Sequence, residues 1–176
     1  YKSRGAAILP VVALYSVYQC ITEELKRFDG KTLDKLASHN SCDRSSGETG
    51  DIVVRNGEDN SIYEVIEVKF DIPVNPIMIE DAYKKISEKP VQRYYILSTV
   101  APSEDDRVAI DEIVCKIREE HGCQIIVNGV FPTIKYYLRL LDNTDLFVER
   151  YVKNLSDNTE INFEHKIAWN KVCGEN

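Results

Sequence analysis

The chain has 176 residues, of which 43% are hydrophobic and 29% are charged. This composition is typical of a soluble globular protein that folds as one domain with a sizeable core. It contains no run of about 18 apolar residues, so we expect no membrane span. Its formal net charge of -7 argues against a general nucleic-acid binder, because such proteins usually present a basic surface.

The cysteine pattern and the first residue bear on location and completeness. The five cysteines include no C-x-x-C pair, which gives little support to a zinc site and favours reduced thiols in the cytoplasm. The first residue is Tyr1 rather than Met, so we expect the chain to be a fragment of a longer protein. We interpret residues 1–176 as a single domain, with a core at about 10–130 and a helical extension at 131–176.

A long amphipathic helix is predicted near the N-terminus. Pro10 suits the first turn of a helix. After it, apolar residues recur at alternating spacings of three and four, which is the spacing of one helix face. They are Val11, Leu14, Tyr18, Ile21, Leu25 and Phe28. Asp29 and Gly30 are predicted to end this helix, and residues 31–50, rich in Ser, Asp and Gly, are predicted to be mostly loop.

Two strands joined by a tight turn are predicted next. Residues 51–55 and 62–70 are rich in β-branched side chains, and residues 56–60 read Asn-Gly-Glu-Asp-Asn, which is strong turn chemistry. Facing residues of an antiparallel pair have numbers with a constant sum. The turn leaves three registers open, in which Asp51 faces Glu67 directly or a residue one or two positions before it. In all three registers the two acids lie close together across the ladder.

The rest of the chain alternates helices and strands. The predicted elements are a helix from Ile79 to Ser87, a strand from Val91 to Thr99, a helix capped by Ser103 and Asp106 and ending at Gly122, a strand from Gln124 to Val127, a helix from Thr133 to Leu141, and further helices after it. Strand–helix–strand crossovers between residues 62 and 127 predict a mixed, partly parallel sheet. We therefore expect an α/β fold in which helices flank this sheet.

Three charged residues of the predicted hairpin form one candidate site: Asp51, Glu67 and Lys69. Two neighbouring carboxylates are poorly stabilised unless a cation lies between them, and oxygen ligands favour Mg²⁺ or Mn²⁺. Lys69 lies two residues from Glu67 and so points to the same face, where it could orient a water molecule or stabilise charge on a phosphate. The backbone carbonyl of Val68 could complete the metal shell. The alternative is a surface ion pair between Glu67 and Lys69, with Asp51 as a turn residue.

The spacing of these residues resembles a known catalytic signature. Gly-Asp at 50–51, followed by a hairpin and then Glu-x-Lys at 67–69, resembles the motif of the PD-(D/E)XK nucleases. The segments 39–52 and 81–86 are similar in style to those of some type II restriction endonucleases. The resemblance covers roughly residues 10–130, and the charged triplet is its specific part.

The resemblance implies a fold, a cofactor and roles for the triplet. It implies a restriction-endonuclease-like core with Asp51 and Glu67 as ligands of Mg²⁺ or Mn²⁺ and Lys69 as the catalytic lysine. The chain departs from the family pattern in two ways. Gly50 stands where the family name has Pro, and the strand that usually precedes the Asp is not evident in residues 31–50.

Further candidates follow from the same resemblance. In many relatives the first helix also supplies a metal-binding glutamate, and Glu24 is the candidate here, with a solvated acid at the helix end as the alternative. Arg44 and Ser45 lie in a polar loop that could contact a phosphate or a base edge, or could be a plain solvent loop. Lys84 and Lys85 belong to the densest basic group and could hold the DNA backbone, or could form a charged helix face.

These expectations combine into one interpretation, a Mg²⁺-dependent endonuclease acting on double-stranded DNA as a type II restriction enzyme. Reading a symmetric target requires two copies, so we expect a homodimer. The acidic net charge does not exclude this activity, because a bound metal supplies positive charge locally. The alternatives are a nuclease of the same core in DNA repair or recombination, a catalytically silent DNA-binding module, and an interaction domain whose hairpin charges are structural. The pairs Tyr94-Tyr95 and Tyr136-Tyr137 could stack on bases or pack in the core.

Overall fold

The computed structural model describes residues 5–36 and 49–174. Among these residues, five strands form one sheet in the order β1-β2-β3-β4-β5. The strands are β1 Lys31–Leu33, β2 Ile52–Asn56, β3 Ile62–Lys69, β4 Val91–Ser98 and β5 Gln124–Gly129. The pairs β1–β2 and β2–β3 are antiparallel, whereas β3–β4 and β4–β5 are parallel. The predicted mixed, partly parallel sheet is therefore confirmed.

Six α-helices and one short 3-10 helix accompany the sheet in the described ranges. They are α1 Ile8–Glu24, the 3-10 helix Lys26–Phe28, α2 Pro76–Ile86, α3 Glu104–His121, α4 Val130–Leu138, α5 Asp145–Asp157 and α6 Phe163–Cys173. The last three follow the final strand, as the predicted helical C-terminal part requires. Within residues 5–36 and 49–174, no helix combines the length and the hydropathy that crossing a membrane demands.

Helices cover both faces of the sheet. On one face, α1, α4 and α5 enclose a core that includes Tyr18 and Ile66. On the other face, α2 and α3 enclose a second core that includes Val65 and Tyr94. Val65 and Ile66 are consecutive residues of β3 and enter opposite cores, as the alternation of side chains along a strand requires. Both faces of β3 are therefore buried along the middle of the strand, which makes β3 the element around which the site is built.

The N-terminal helix is shorter than predicted. Leu25 has extended backbone angles, φ -96° and ψ 123°, and ends α1, while Phe28 lies in the 3-10 helix that follows. Phe28 is nevertheless buried, and its ring meets those of Tyr18 and Tyr63 edge-on at centroid distances of 6.2 and 6.1 Å. The regular spacing of Leu25 and Phe28 thus reflects burial against one core rather than continuation of the helix.

The interpretation of residues 31–50 as mostly loop is wrong at β1, whose three residues are too few to produce an alternating pattern. The ladder with β2 starts at a close backbone approach, in which the Gly57 N–H donates to the Gly30 carbonyl at 2.8 Å. A Cβ atom at Gly57 would lie 2.6 Å from that oxygen, so this position requires glycine. Residues 37–48 lie outside the described residues.

The β2–β3 ladder contains a bulge just before the site. The register shifts beside Arg55, and beyond the bulge Ile52 faces Ile66. Asp51 comes directly before β2, and its N–H donates to the carbonyl of Ile66 at 2.9 Å.

Caps determine where two of the helices begin and end. Helix α2 begins three residues earlier than predicted, because the Asn75 side chain accepts a backbone N–H of its first turn at 3.1 Å. The predicted cap of α3 is confirmed, since the Ser103 hydroxyl accepts the N–H of Asp106 at 3.1 Å. The same helix ends, as predicted, at Gly122, whose φ of 82° is in the left-handed region.

An ion pair joins the segment after α1 to the sheet. The carboxylate of Glu64 on β3 is fully buried, and Nη2 of Arg27 lies 2.8 and 2.9 Å from its two oxygens. The pKa values of three neighbouring tyrosines are raised, first by burial and then by the charge of Glu64. These tyrosines are Tyr18, Tyr95 and Tyr137. Removing one charge of this pair would leave the other without its partner in the interior.

We predict that Arg27→Met lowers the free energy of unfolding by about 3–5 kcal/mol, because Glu64 keeps its desolvation cost and loses its counter-charge. The double variant Arg27→Met/Glu64→Met should recover most of this loss, since the buried carboxylate is then replaced by an apolar side chain. Urea denaturation of the two variants measures the difference. A loss below about 1 kcal/mol in the single variant would contradict the account.

Candidate functional site

A cavity of about 730 Å³ opens at the carboxyl end of β3, next to the start of α1. Asp51, Glu67 and Lys69 all line it. The structure therefore brings together the three residues that the sequence predicted to form one site. Ile8 and Val11 contribute an apolar wall from α1, so the charged groups lie beside a partly desolvated surface.

Asp51 is fixed to β3 through both its backbone and its side chain. Its N–H donates to the carbonyl of Ile66 at 2.9 Å, and its Oδ2 accepts the N–H of Val68 at 2.7 Å. The residue before it is Gly50, where an added Cβ would lie 2.4 Å from Cγ1 of Val65. Any larger residue at position 50 would push the chain away from β3, so the glycine of the Gly-Asp motif allows Asp51 to reach the cavity.

Glu67 is held by three donors. Its Oε1 lies 2.5 Å from Nζ of Lys69, while its Oε2 accepts from Nζ of Lys85 at 2.9 Å and from the hydroxyl of Tyr94 at 2.5 Å. Burial of the side chain acts to raise the pKa of Glu67. The hydrogen bonds from Lys69, Tyr94 and Lys85 outweigh that effect, so the pKa lies below its usual value. Glu67 is therefore a carboxylate at neutral pH.

Tyr94 links Glu67 to the segment that leads into Asp51. Its hydroxyl lies 2.8 Å from the carbonyl of Thr49 as well as 2.5 Å from Glu67. Burial, followed by the charge of Glu67, raises the pKa of Tyr94 far above its usual value, so the hydroxyl keeps its proton and remains a donor. Of the two alternatives for Tyr94 and Tyr95, the structure supports packing in the core, because both side chains are buried.

The donor set suits a hard divalent ion. Asp51 and Glu67 supply carboxylate oxygens from neighbouring strands. The N–H of Val68 points towards Asp51. Because the N–H and C=O of one strand residue face the same neighbour, the Val68 carbonyl is directed to that side as well. In the described ranges, no group of three or more His, Cys, Asp or Glu residues is arranged to hold a metal. Mg²⁺ commonly uses one or two carboxylates and completes its shell with water and phosphate oxygens, so two acids fit such an ion.

The other predicted site residues are placed differently. The carboxylate of Glu24 accepts the N–H of Asp142 at 2.9 Å and does not line the cavity. Lys84 pairs with Asp81 at 2.8 Å on the exposed side of α2, whereas Lys85 lines the cavity. Arg44 and Ser45 lie outside the described residues.

The sequence did not predict two of the residues found at or next to the cavity. Tyr94 was considered only for base stacking or core packing, although its place in a strand parallel to β3 brings it to Glu67. Glu160, in the segment between α5 and α6, also lines the cavity. No sequence pattern near residue 160 indicates this, because its position depends on how the C-terminal helices pack against α1.

A comparison of the chain with protein-family models finds no match, and a search of curated proteins finds none either. The arrangement of the side chains therefore carries the functional argument.

We predict that the hydroxyl of Tyr94 and the carboxylate of Glu67 stabilise the fold jointly. A double-mutant cycle of Tyr94→Phe and Glu67→Gln, measured by urea denaturation, should give a coupling energy of about 1–3 kcal/mol, because the hydrogen bond involves a charged group. Tyr95→Phe is the matched control, since this neighbouring side chain enters the opposite core, and its cycle with Glu67→Gln should be additive. Additive effects of Tyr94→Phe and Glu67→Gln would contradict a stabilising hydrogen bond between these two side chains.

Proposed function

We propose that the chain is a metal-dependent endonuclease of the PD-(D/E)XK type, which hydrolyses phosphodiester bonds of double-stranded DNA. The observation that carries the proposal is the meeting of Asp51, Glu67 and Lys69 at one cavity. Their order along the chain and their spacing are those of the family signature, and their positions at the end of a hairpin suit one shared ion.

The overall architecture supports a restriction-endonuclease-like fold. A helix precedes three antiparallel strands, and parallel strands follow through helical crossovers. The strand that was expected before Asp51, and not evident from the sequence, has a counterpart in β1. Gly50 in place of Pro is compatible with the signature, because the close approach to Val65 leaves no room for a side chain there.

The burial of Glu67 separates this proposal from a simple surface ion pair. A pair between Glu67 and Lys69 is expected from either interpretation. A surface pair, however, does not explain a glutamate that is only 14% exposed, with two lysines on its carboxylate and a second acid at the same cavity. Withdrawing the carboxylate of Glu67 from water is costly, and clusters of ionisable groups in a cavity are typical of functional sites.

In the proposed reaction, each residue of the triplet has a separate task. Asp51 and Glu67 hold Mg²⁺ or Mn²⁺ with the Val68 carbonyl, and the bound ion would polarise a phosphoryl oxygen and acidify a water molecule. Lys69 lies beside Glu67, where its ammonium group orients the attacking water or stabilises the charge that develops on the phosphate. The apolar wall from α1 limits bulk water around these groups, which strengthens their electrostatic effect.

The finer assignment, a type II restriction enzyme that acts as a homodimer on a specific duplex sequence, forms part of the proposal. A supercoiled plasmid incubated with Mg²⁺ distinguishes the possibilities. Discrete fragments indicate a restriction enzyme, and a smear indicates a less specific nuclease of the same core. An intact plasmid contradicts nuclease activity in this chain.

We predict that Asp51→Asn and Lys69→Met each reduce plasmid cleavage at least about 100-fold, because each removes a group that acts on the scissile phosphate. Circular dichroism should show a folded protein in both cases. Asp81→Asn and Lys84→Met are matched controls on exposed positions of α2 and should cut as the unmodified chain does. Cleavage at the unmodified rate by both site variants would rule out this assignment of the catalytic residues.

A further inference from the structure

The carboxylate of Glu67 contacts more lysines than the family signature predicts. The signature includes one lysine, Lys69, whose ammonium group contacts Oε1. A second lysine, Lys85 of α2, takes Oε2 at 2.9 Å and reaches the cavity from the opposite wall. Two ammonium groups therefore contact one carboxylate, and the signature requires only the first of them.

The neighbouring residue shows that this contact is specific. Lys84 and Lys85 are adjacent on α2, yet the Lys84 side chain is 72% exposed and pairs with Asp81, away from the cavity. The Lys85 side chain is 40% exposed and turns towards Glu67. The predicted DNA-contacting pair is thus divided between two surfaces, and only one of its members lies at the site.

The three donors on Glu67 differ in how readily they can leave. Tyr94 is fully buried in a strand and bonded to Thr49 as well, so its hydroxyl stays in place. Lys85 is more exposed than Lys69, whose side chain is 26% exposed, and its long stem reaches the mouth of the cavity. Of the two lysines, Lys85 would therefore leave Glu67 more easily than Lys69 if a divalent ion were bound there.

We infer that Lys85 occupies the cation position on Glu67 in the metal-free protein and binds a DNA phosphate once the metal displaces it. This inference rests on the proposed nuclease function and adds a second phosphate-binding lysine to it. In the absence of DNA, the ammonium group of Lys85 then opposes metal binding. In the presence of the metal, the same group favours DNA binding. Metal and DNA would bind cooperatively, because the DNA phosphate replaces the Glu67 carboxylate as the anionic partner of Lys85.

Two measurements on Lys85→Met test the inference, with Lys84→Met as the control. Titration calorimetry of Mn²⁺ into the protein without DNA should show binding about threefold to tenfold tighter in Lys85→Met, because a competing cation is gone. Binding of a short DNA duplex, followed by anisotropy with Ca²⁺ in place of Mg²⁺, should become less dependent on salt in Lys85→Met. The slope of log K against log salt should fall in magnitude by about one, the change expected for one lost phosphate contact.

Lys84→Met should change neither quantity, and Lys85→Arg should retain the salt slope because it keeps the charge. If Lys85→Met behaves as Lys84→Met in either measurement while the unmodified chain binds Mn²⁺ and cuts DNA, the inference about Lys85 is overturned and the nuclease function stands. If the unmodified chain binds no Mn²⁺ and cuts no DNA, the proposed function and the inference are both overturned.

Discussion

The arrangement of side chains at the candidate site depends on the carboxylate of Glu67. It lies near the end of β3, the strand that is buried on both faces, and it receives donors from β3 itself, from α2 and from β4. Asp51 lines the same cavity, where two hydrogen bonds to β3 and the close approach of Gly50 to Val65 hold it. A buried acid with this many partners is costly to desolvate, and its hydrogen bonds and ion pairs offset that cost.

The same arrangement accounts for how a chain of net charge -7 could act on DNA. The positive charge that a phosphate requires is concentrated at the cavity, in Lys69, Lys85 and the proposed metal, rather than spread over the surface. Local charge beside an apolar wall acts more strongly than the same charge in open water. On the opposite face of the sheet, the pair between Arg27 and the buried Glu64 holds the segment after α1 against β3.

Local patterns predicted the elements and the triplet, because both are encoded within a few residues. The turn at 56–60 and the caps at Ser103 and Gly122 each act through neighbouring backbone groups. What the sequence could not provide depends on distant packing. The contacts of Tyr94 and Lys85 with Glu67 are examples, because these residues lie 27 and 18 positions from Glu67 and only the β3–β4 pairing and the docking of α2 bring them to it. Likewise, β1 is too short to show a period, and the break at Leu25 keeps the apolar spacing of a helix that has already ended.

The central claim is that Asp51 and Glu67 share one divalent ion. The most direct test is an anomalous difference map from a crystal of the chain soaked in Mn²⁺. The account predicts a single strong peak at the cavity, within about 2.0–2.4 Å of a carboxylate oxygen from each acid and close to the Val68 carbonyl. A map with no peak between these two carboxylates, at Mn²⁺ concentrations that support cleavage, would contradict it.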